Sequence, residues 1–421
     1  MTTPTTPTAG DPALDSLHGL SVGDALGAQF FVPGAFAHLA NGTTPPGPWP
    51  WTDDTEMACS VYAAHTERGR IDSFDLTHAF ARRHDFDRGY GPAANRMLRL
   101  VREGGDAARL AAELFDGQGS YGNGAAMRVA PLGAAFAADP EAVIEPAAAT
   151  AVITHTHPQA VDGAIAVAAA AAYAVRARTE PTTPERLLKE VHRLTPLGAV
   201  RDGIAEAMAL LGERDLRVAA RVLGNGSRVS AADTVPYALW CAARRLADYP
   251  AAIWEAIGAG GDVDTVAAIA GGVVAAHTGA AGIPAPWLAA REPLPSWATP
   301  EPASVADGSP AHLPIRLPRP HPVPDVVWTD EQWQRLRRGL GPADHDDRWA
   351  SYTREGVLHL HRAGTGHGIW EITVAPVRGG GWRPVSVRVE ADPVRYRAAS
   401  DLQQLTVLLA LGHDGQRRAG R

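Results

Sequence analysis

Two short acidic segments, far apart in the chain, hold the residue types best suited to chemistry. The first is Trp51-Thr52-Asp53-Asp54-Thr55-Glu56-Met57. The second is Gly260-Gly261-Asp262-Val263-Asp264-Thr265-Val266. Each reads as a turn that opens a helix. Capping accounts for part of the pattern: Asp53 with Glu56 would make a capping box, and Asp262 would suit the N-cap of the second helix. One cap does not need adjacent aspartates, however. Three or four carboxylates packed together are costly unless a cation neutralises them. Both segments also bring threonine hydroxyls. Carboxylate and hydroxyl oxygens without sulfur are hard ligands that favour Mg2+ or Mn2+ over zinc. Side chains one and two apart at a turn point in different directions, so each segment could address two ions. A two-metal site then requires the segments to converge in space.

Between them lies Gly117-Gln118-Gly119-Ser120-Tyr121-Gly122-Asn123-Gly124. Such a run lets backbone amides approach a ligand closely. It contains G-x-G-x-x-G, but Ala107–Phe115 before it has helical spacing, whereas the dinucleotide fingerprint needs a strand there, and no Walker lysine follows. Its Gly, Ser, Asn and Tyr suit a polyphosphate or ribose cradle leading into a helix over Ala125–Phe136. The alternative is an ordinary flexible loop. Thr154-His155-Thr156-His157-Pro158 precedes an alanine-rich helix. Two histidines two apart could bind a metal, or supply one capping or core ring and one exposed ring. Substrate contact is the favoured reading for His155, and His157 stays open.

These segments need a scaffold. From about residue 13 to 290, apolar and largely alanine positions recur at helical spacing: Ser60–His65, Leu76–Arg82, Ala142–Val152, Gly163–Val175, Pro184–His192, Ala205–Leu211, Val235–Leu246 and Thr265–His277. No run there alternates like a strand. Pro33-Gly34, Thr43–Pro50, Gly104-Gly105 and Gly260-Gly261 punctuate the helices. Alanine lets helices pack closely, so the expected fold is mainly α, a compact orthogonal all-α domain over 13–290. Residues 1–12 read as a disordered Thr/Pro leader and 291–325 as a proline-rich linker. Residues 326–421 read as a small α+β domain. There Thr329–Gly339 is a helix capped by Thr329, Gly356–His361, Gly368–Val374 and Arg383–Val389 are strands, and Pro393–Leu411 is a closing helix. His359 and His361 share a strand face, with His367 nearby and Asp344-His345-Asp346-Asp347 before them. Metal binding is one reading of this group; a packed or solvated strand face is favoured.

The chain has 421 residues, 45% hydrophobic and 20% charged, with a formal charge of -7. That balance argues against a general nucleic-acid binder, leaving room only for a local basic patch. Cys59 and Cys241 are far apart and sit in helical apolar runs, as buried core thiols would. The first residues lack the basic and apolar regions of a secretory signal. Ala164–Val175 is too short and too alanine-rich to span a bilayer. The expectation is a cytoplasmic protein with no membrane partner.

Taken in order, five blocks resemble the ADP-ribosylglycohydrolase family, the group that includes dinitrogenase-reductase-activating glycohydrolase. They are Gly19-Leu20-Ser21-Val22-Gly23-Asp24-Ala25-Leu26-Gly27, Trp51–Thr55, Gly119–Arg128, Thr154-His155 and Gly260–Val266. The resemblance covers about residues 14–290. It implies an all-α fold and a binuclear Mg2+ or Mn2+ centre ligated by Thr52, Asp53, Asp54, Asp262, Asp264 and Thr265. It implies that Gly119, Ser120, Tyr121, Gly122, Asn123 and Gly124 hold the phosphates and ribose of ADP-ribose, with His155 beside them. The implied reaction is hydrolysis of an N- or O-glycosidic bond between ADP-ribose and a modified acceptor, a protein first of all. One position departs. Many members carry a glutamate a few residues after the Gly-Asp-Ala-Leu-Gly block, and here Phe31 stands about where it would be. The catalytic role of activating water then falls to Asp54 or Asp264, with Glu56 a further candidate, while Asp24 is expected to satisfy backbone amides in the core. Two other readings stand beside this one: hydrolysis of small-molecule or nucleic-acid ADP-ribose conjugates, and a non-catalytic ADP-ribose binder or immunity protein.

Overall fold

The structure is a computed structural model that describes residues 11–295, 297, 298, 313–337, 349–362, 365–378 and 380–396. It divides into two compact units, Met1–Thr299 and Pro300–Arg421. Among the described residues the first unit consists of helices and turns, with only isolated bridges between extended residues. Its first helix, Pro12–Ala28, opens with Pro at the start and Asp11 accepting from the Ala13 amide. It packs on the helix Val263–Thr278, and glycine sets how closely. Gly19, Gly23 and Gly27 fall four residues apart, so they line one face. A Cβ at Gly23 would stand 2.2 Å from the Ala267 carbonyl oxygen, and one at Gly27 would stand 2.6 Å from the Asp264 Cα. Backbone therefore meets backbone, and the aspartate-bearing start of the second helix is drawn onto the end of the first.

The alanine-rich helix Pro158–Arg176 is long and apolar enough to cross a membrane, but most of it is buried inside this unit. It packs as a core helix does: a Cβ at Gly133 would lie 2.2 Å from the Ala168 carbonyl oxygen. Helices were expected around each periodic segment, and they form at Asp53–Arg68, Ser73–Arg83, Ile144–Ala151, Pro184–Leu194, Ala199–Ala209 and Ala231–Arg244. Two stretches differ. The Ala107–Phe115 segment is a regular helix only over Ala107–Ala112; the short Leu114–Gly117 that follows is kinked, with Phe115 and Asp116 both in left-handed backbone, φ of 51° and 57°. The Ala125–Phe136 segment is a helix only over Ala130–Ala135, preceded by the short 3-10 turn Asn123–Ala125.

The second unit holds a five-stranded antiparallel sheet in the order β1-β5-β4-β3-β2, with β1 Pro318–His321, β2 Trp349–Arg354, β3 Val357–Arg362, β4 Gly368–Pro376 and β5 Trp382–Glu390. Strand β1 lies within the stretch read as a linker. Its two prolines are tolerated because it is an edge strand. One side of the sheet carries Leu358, Leu360, Trp370, Ile372, Val387 and Val389 into a core with Trp328, Trp333 and Leu336. Thr329 does cap the helix Asp330–Arg337: its hydroxyl accepts from the Gln332 amide at 3.2 Å, and Gln332 returns the bond. The histidine pair is packed on the sheet: Tyr352 stacks on His359 and His361, and His359 lies 3.7 Å from Glu371, which also pairs with Arg388. Pro393–Arg395 is a turn rather than the start of a helix, and the rest of the expected closing helix lies outside the described residues, as do Asp344–Asp347.

Candidate metal centre and ligand cradle

Asp54 and Asp264 belong to segments separated by more than two hundred residues, yet they lie side by side with Asp24. One oxygen from each of the three falls within 4.8 Å of the others, and all three residues are buried. The glycine-lined contact between Pro12–Ala28 and Val263–Thr278 brings Asp24 to Asp264. The helix Asp53–Arg68 adds Asp54. Its start is pinned by Asp24, which accepts from the amides of Thr52 and Thr55 at 2.9 and 3.1 Å and from both their hydroxyls. Asp24 thus satisfies backbone amides, as expected, and also joins the acidic group, which the sequence reading did not anticipate.

Capping does not account for the aspartates. Thr52, not Asp53, caps its helix, and Asp262 sits at the N-cap position without bonding a backbone amide there. The expected Asp53–Glu56 capping box is absent. Glu56 instead accepts from the Tyr90 hydroxyl at 2.6 Å and the Asp85 amide at 3.2 Å, which engages it away from a free catalytic role. Asp54 Oδ2 receives the Thr52 and Thr265 hydroxyls at 3.3 and 3.5 Å, while its buried Oδ1 has no partner. Burial, then the charge of the neighbouring aspartates, holds the Asp54 and Asp264 carboxyls well above the usual carboxylate range. Burial also raises Asp24 despite its four donors, and burial with Asp24 raises Asp53. Asp262 is raised by burial but held back by the Asn123 amide, 2.6 Å from Oδ2. Three buried carboxylates held together, one of them with an orphaned oxygen, with hydroxyls bonded to them, fit a hard divalent cation. Asp54 and Asp264 sit in the triad, Thr52 and Thr265 bond Asp54, and Asp53 and Asp262 are close enough for their charges to act on it.

The glycine loop is built against this group. Asn123 spans from Thr234 to Asp262, at 3.0 and 2.6 Å. Gly119, at φ +75°, has no room for a side chain, since a Cβ would fall 2.0 Å from the Thr156 hydroxyl. Gly122 and Gly124 lie against the His155 ring, where Cβ atoms would stand 3.2 and 3.0 Å from Nε2. Ser120 turns its hydroxyl to the Gly122 amide. At the rim, exposed Tyr121 and Phe115 hold their rings 5.8 Å apart. His157, left open by the sequence, caps the helix Pro158–Arg176 through Nδ1 and the Gln159 amide. A further wall went unread: Asn225 accepts the Asp262 amide, Val229 accepts the Asn123 amide, and Ala231 donates to Tyr121. The Asn225-Gly226-Ser227 turn was its only signal. Phe31 is 54% exposed and so is not part of the buried core.

The comparisons agree with this architecture. The family model described as ADP-ribosylglycohydrolase matches residues 5–307. "ADP-ribosylhydrolase ARH3" of Xenopus tropicalis is 31% identical over 317 residues, covering 66% of this chain and 90% of the relative. The Homo sapiens protein of the same name is 29% identical, covering 56% of this chain and 73% of the relative. "ADP-ribosyl-[dinitrogen reductase] glycohydrolase" of Rhodospirillum rubrum is 34% identical over 168 residues, covering 37% of this chain and 54% of the relative. The chain belongs to the ADP-ribosylglycohydrolase family and is a glycohydrolase.

Proposed function

We propose that this protein hydrolyses the glycosidic bond of ADP-ribose conjugates, with a modified protein as the acceptor, at a binuclear Mg2+ or Mn2+ centre held by Thr52, Asp53, Asp54, Asp262, Asp264 and Thr265. The observation that carries the reading is the convergence of the two acidic segments, with Asp53 and Asp262 freed from capping and Asp54 Oδ1 unpartnered in a buried site. The bound ions would supply positive charge next to the ribose hydroxyls and bring water toward ionisation at neutral pH. Asp54 and Asp264, paired in the buried triad, orient the attacking water and accept its proton. The amides of Gly119–Gly124 hold the diphosphate, and the Phe115 and Tyr121 rings offer aromatic faces to a base. A protein acceptor is favoured by the similarity to the ADP-ribosyl-[dinitrogen reductase] glycohydrolase of Rhodospirillum rubrum, whose name specifies a modified protein.

The test is release of free ADP-ribose from Arg-, Ser-, Cys- and nucleic-acid-linked conjugates, with Mg2+ and with excess chelator. Release from at least one protein conjugate, lost in chelator and restored by Mg2+ or Mn2+, is expected. The second reading, a non-catalytic binder, rests on Phe31 standing where many members carry an acid. Tight ADP-ribose binding with no release from any conjugate would establish it.

A further inference from the structure

Behind the glycine loop runs a chain of three side chains that the catalytic reading does not use. Arg128 is fully buried, and among the described residues no carboxylate is bonded to it. Its Nη2 donates to the Thr150 carbonyl at 2.7 Å and to the Thr154 hydroxyl at 3.0 Å, its Nη1 points at Met57 Sδ, and its guanidinium lies 4.7 Å over the Phe80 ring. The Thr154 hydroxyl, itself buried, stands 2.6 Å from His155 Nδ1. Donor and acceptor roles along this chain follow from chemistry. A guanidinium can only donate, so Thr154 Oγ1 accepts from Arg128. Among the described residues the hydroxyl has one other partner, His155 Nδ1. If Nδ1 carried a proton and donated, the threonine proton would be buried with no acceptor, which is strongly unfavourable. The threonine proton therefore goes to Nδ1, and the ring proton sits on Nε2, the atom that faces Gly122 and Gly124.

We infer that Arg128 and Thr154 are positioning residues that lock His155 as a neutral imidazole with its proton on Nε2, making it a fixed hydrogen-bond donor to an anionic phosphate oxygen held by the glycine loop. The ligand half of this statement rests on the proposed function; the tautomer half does not. Burial, reinforced by the Arg128 charge, pushes the His155 pKa down to about 3, in keeping with a ring that stays neutral. A neutral donor suits the place. It adds no positive charge that would pull the diphosphate away from the metal side, and it cannot serve as a base or as an Nδ1 metal ligand. The guanidinium acts as the fixed anchor, because Arg does not lose its proton and its planar fork holds two acceptors at once.

The experiment uses the full chain with 15N-labelled histidine. Long-range 1H–15N correlation gives each ring its tautomer, and His155 is assigned by the signal lost in His155→Gln. The wild type is expected to show the pure Nε2–H tautomer. Thr154→Val should give a mixed ring and weaken ADP-ribose binding about tenfold, a lost hydrogen bond to a charged group. Thr154→Ser, which keeps the hydroxyl in a smaller side chain, should restore both readouts. A wild-type ring protonated on Nδ1, or on both nitrogens, at neutral pH overturns the lock. A Thr154→Val ring that becomes mixed while ADP-ribose affinity stays unchanged overturns the phosphate role. Failure of the wild type to bind ADP-ribose at all overturns the proposed function together with that role, while the tautomer spectrum still decides the lock.

Discussion

Asp54 has two oxygens with different fates. Oδ2 collects the Thr52 and Thr265 hydroxyls, and Oδ1 is buried with nothing to bond. Asp54→Asn and Asp264→Asn keep the volume and remove one charge from the site. Each is expected to cut turnover by about three orders of magnitude or more, because the orienting of water and the acceptance of its proton are lost together. ADP-ribose affinity should change far less, since the Gly119–Gly124 loop is untouched; steady-state kinetics beside calorimetric binding checks both. The same residues set a pH dependence. In chelator, Asp24, Asp54 and Asp264 have folded-state pKa values above their unfolded ones. Between those values the folded chain holds protons that the unfolded chain has released. Their contribution to stability is therefore fully present at acid pH and is lost as pH rises through the raised values. Thermal melts of the chelated protein from pH 5 to 8 should show this fall, with a shallower slope in Asp54→Asn. Added Mg2+ should raise the melting temperature most at the high-pH end. Phe31→Glu places a carboxylate at an exposed position, so the melting temperature should barely move. Any change in turnover or acceptor preference then reports on the acid itself. At this scale the sequence was informative where residues cluster locally. Asp53, Asp54, Asp262 and Asp264 declare themselves by adjacency beyond what a cap needs. Asp24 and Arg128 do not, because their significance comes from partners brought near only by folding.

The stripe Gly19, Gly23 and Gly27 does for helices what adjacency does for residues: it decides which ones meet. Their missing side chains let Pro12–Ala28 touch the backbone of Val263–Thr278, and so set where Asp24 stands relative to Asp264. Gly23→Ala is expected to destabilise by about 1–3 kcal/mol, because its Cβ would press on the Ala267 carbonyl and neither helix can retreat cheaply. Gly27→Ala presses on the Asp264 Cα itself, so it should weaken Mg2+ binding more than its effect on denaturant midpoint would suggest. Titration of Mg2+ and urea unfolding on both variants separates the two effects. Most helices of the first unit were readable from apolar spacing, since buried alanines recur every three to four residues. What spacing cannot see is a backbone that leaves the helical region within an apolar run, as at Phe115 and Asp116, or a ligand loop that borrows helix-forming residues, as at Ala125–Arg128. In the second unit, β3, β4 and β5 were legible from alternation. β1 hides behind its prolines, and β2, Trp-Ala-Ser-Tyr-Thr-Arg, has too few apolar residues to show a period.

For the whole molecule, the informative boundary lies between the last helix of the first unit and the start of the second. A reading by proline content ends the helical unit at residue 290, but the segment that follows is part of it. Arg291 forms a bridge with Trp49, and the Glu292 amide donates to the Trp49 carbonyl. Pro293 accepts from the Trp51 indole, Trp297 lies under the Arg83 guanidinium, and Ala298 is buried in the same core. The Glu292 carboxylate takes both terminal nitrogens of Arg88 at 2.7 and 2.8 Å, and that guanidinium lies 3.5 Å over the Trp51 ring while donating to the Trp51 carbonyl. Trp51 immediately precedes Thr52, so this clamp holds the entrance to the first acidic segment. Two truncations should therefore behave differently. A chain ending at residue 299 keeps the clamp and its own core, and is expected to fold cooperatively, bind Mg2+ and bind ADP-ribose. A chain ending at residue 290 leaves Arg88 without its bidentate partner and uncovers Trp51. It should melt several degrees lower and bind Mg2+ more weakly. The single change Glu292→Ala in the full chain should reproduce part of the metal defect with nothing deleted, which ties the effect to the clamp rather than to chain length. Equal melting temperature and Mg2+ affinity for the two truncations would show instead that residues 291–298 are dispensable, and that the first acidic segment is held without the clamp.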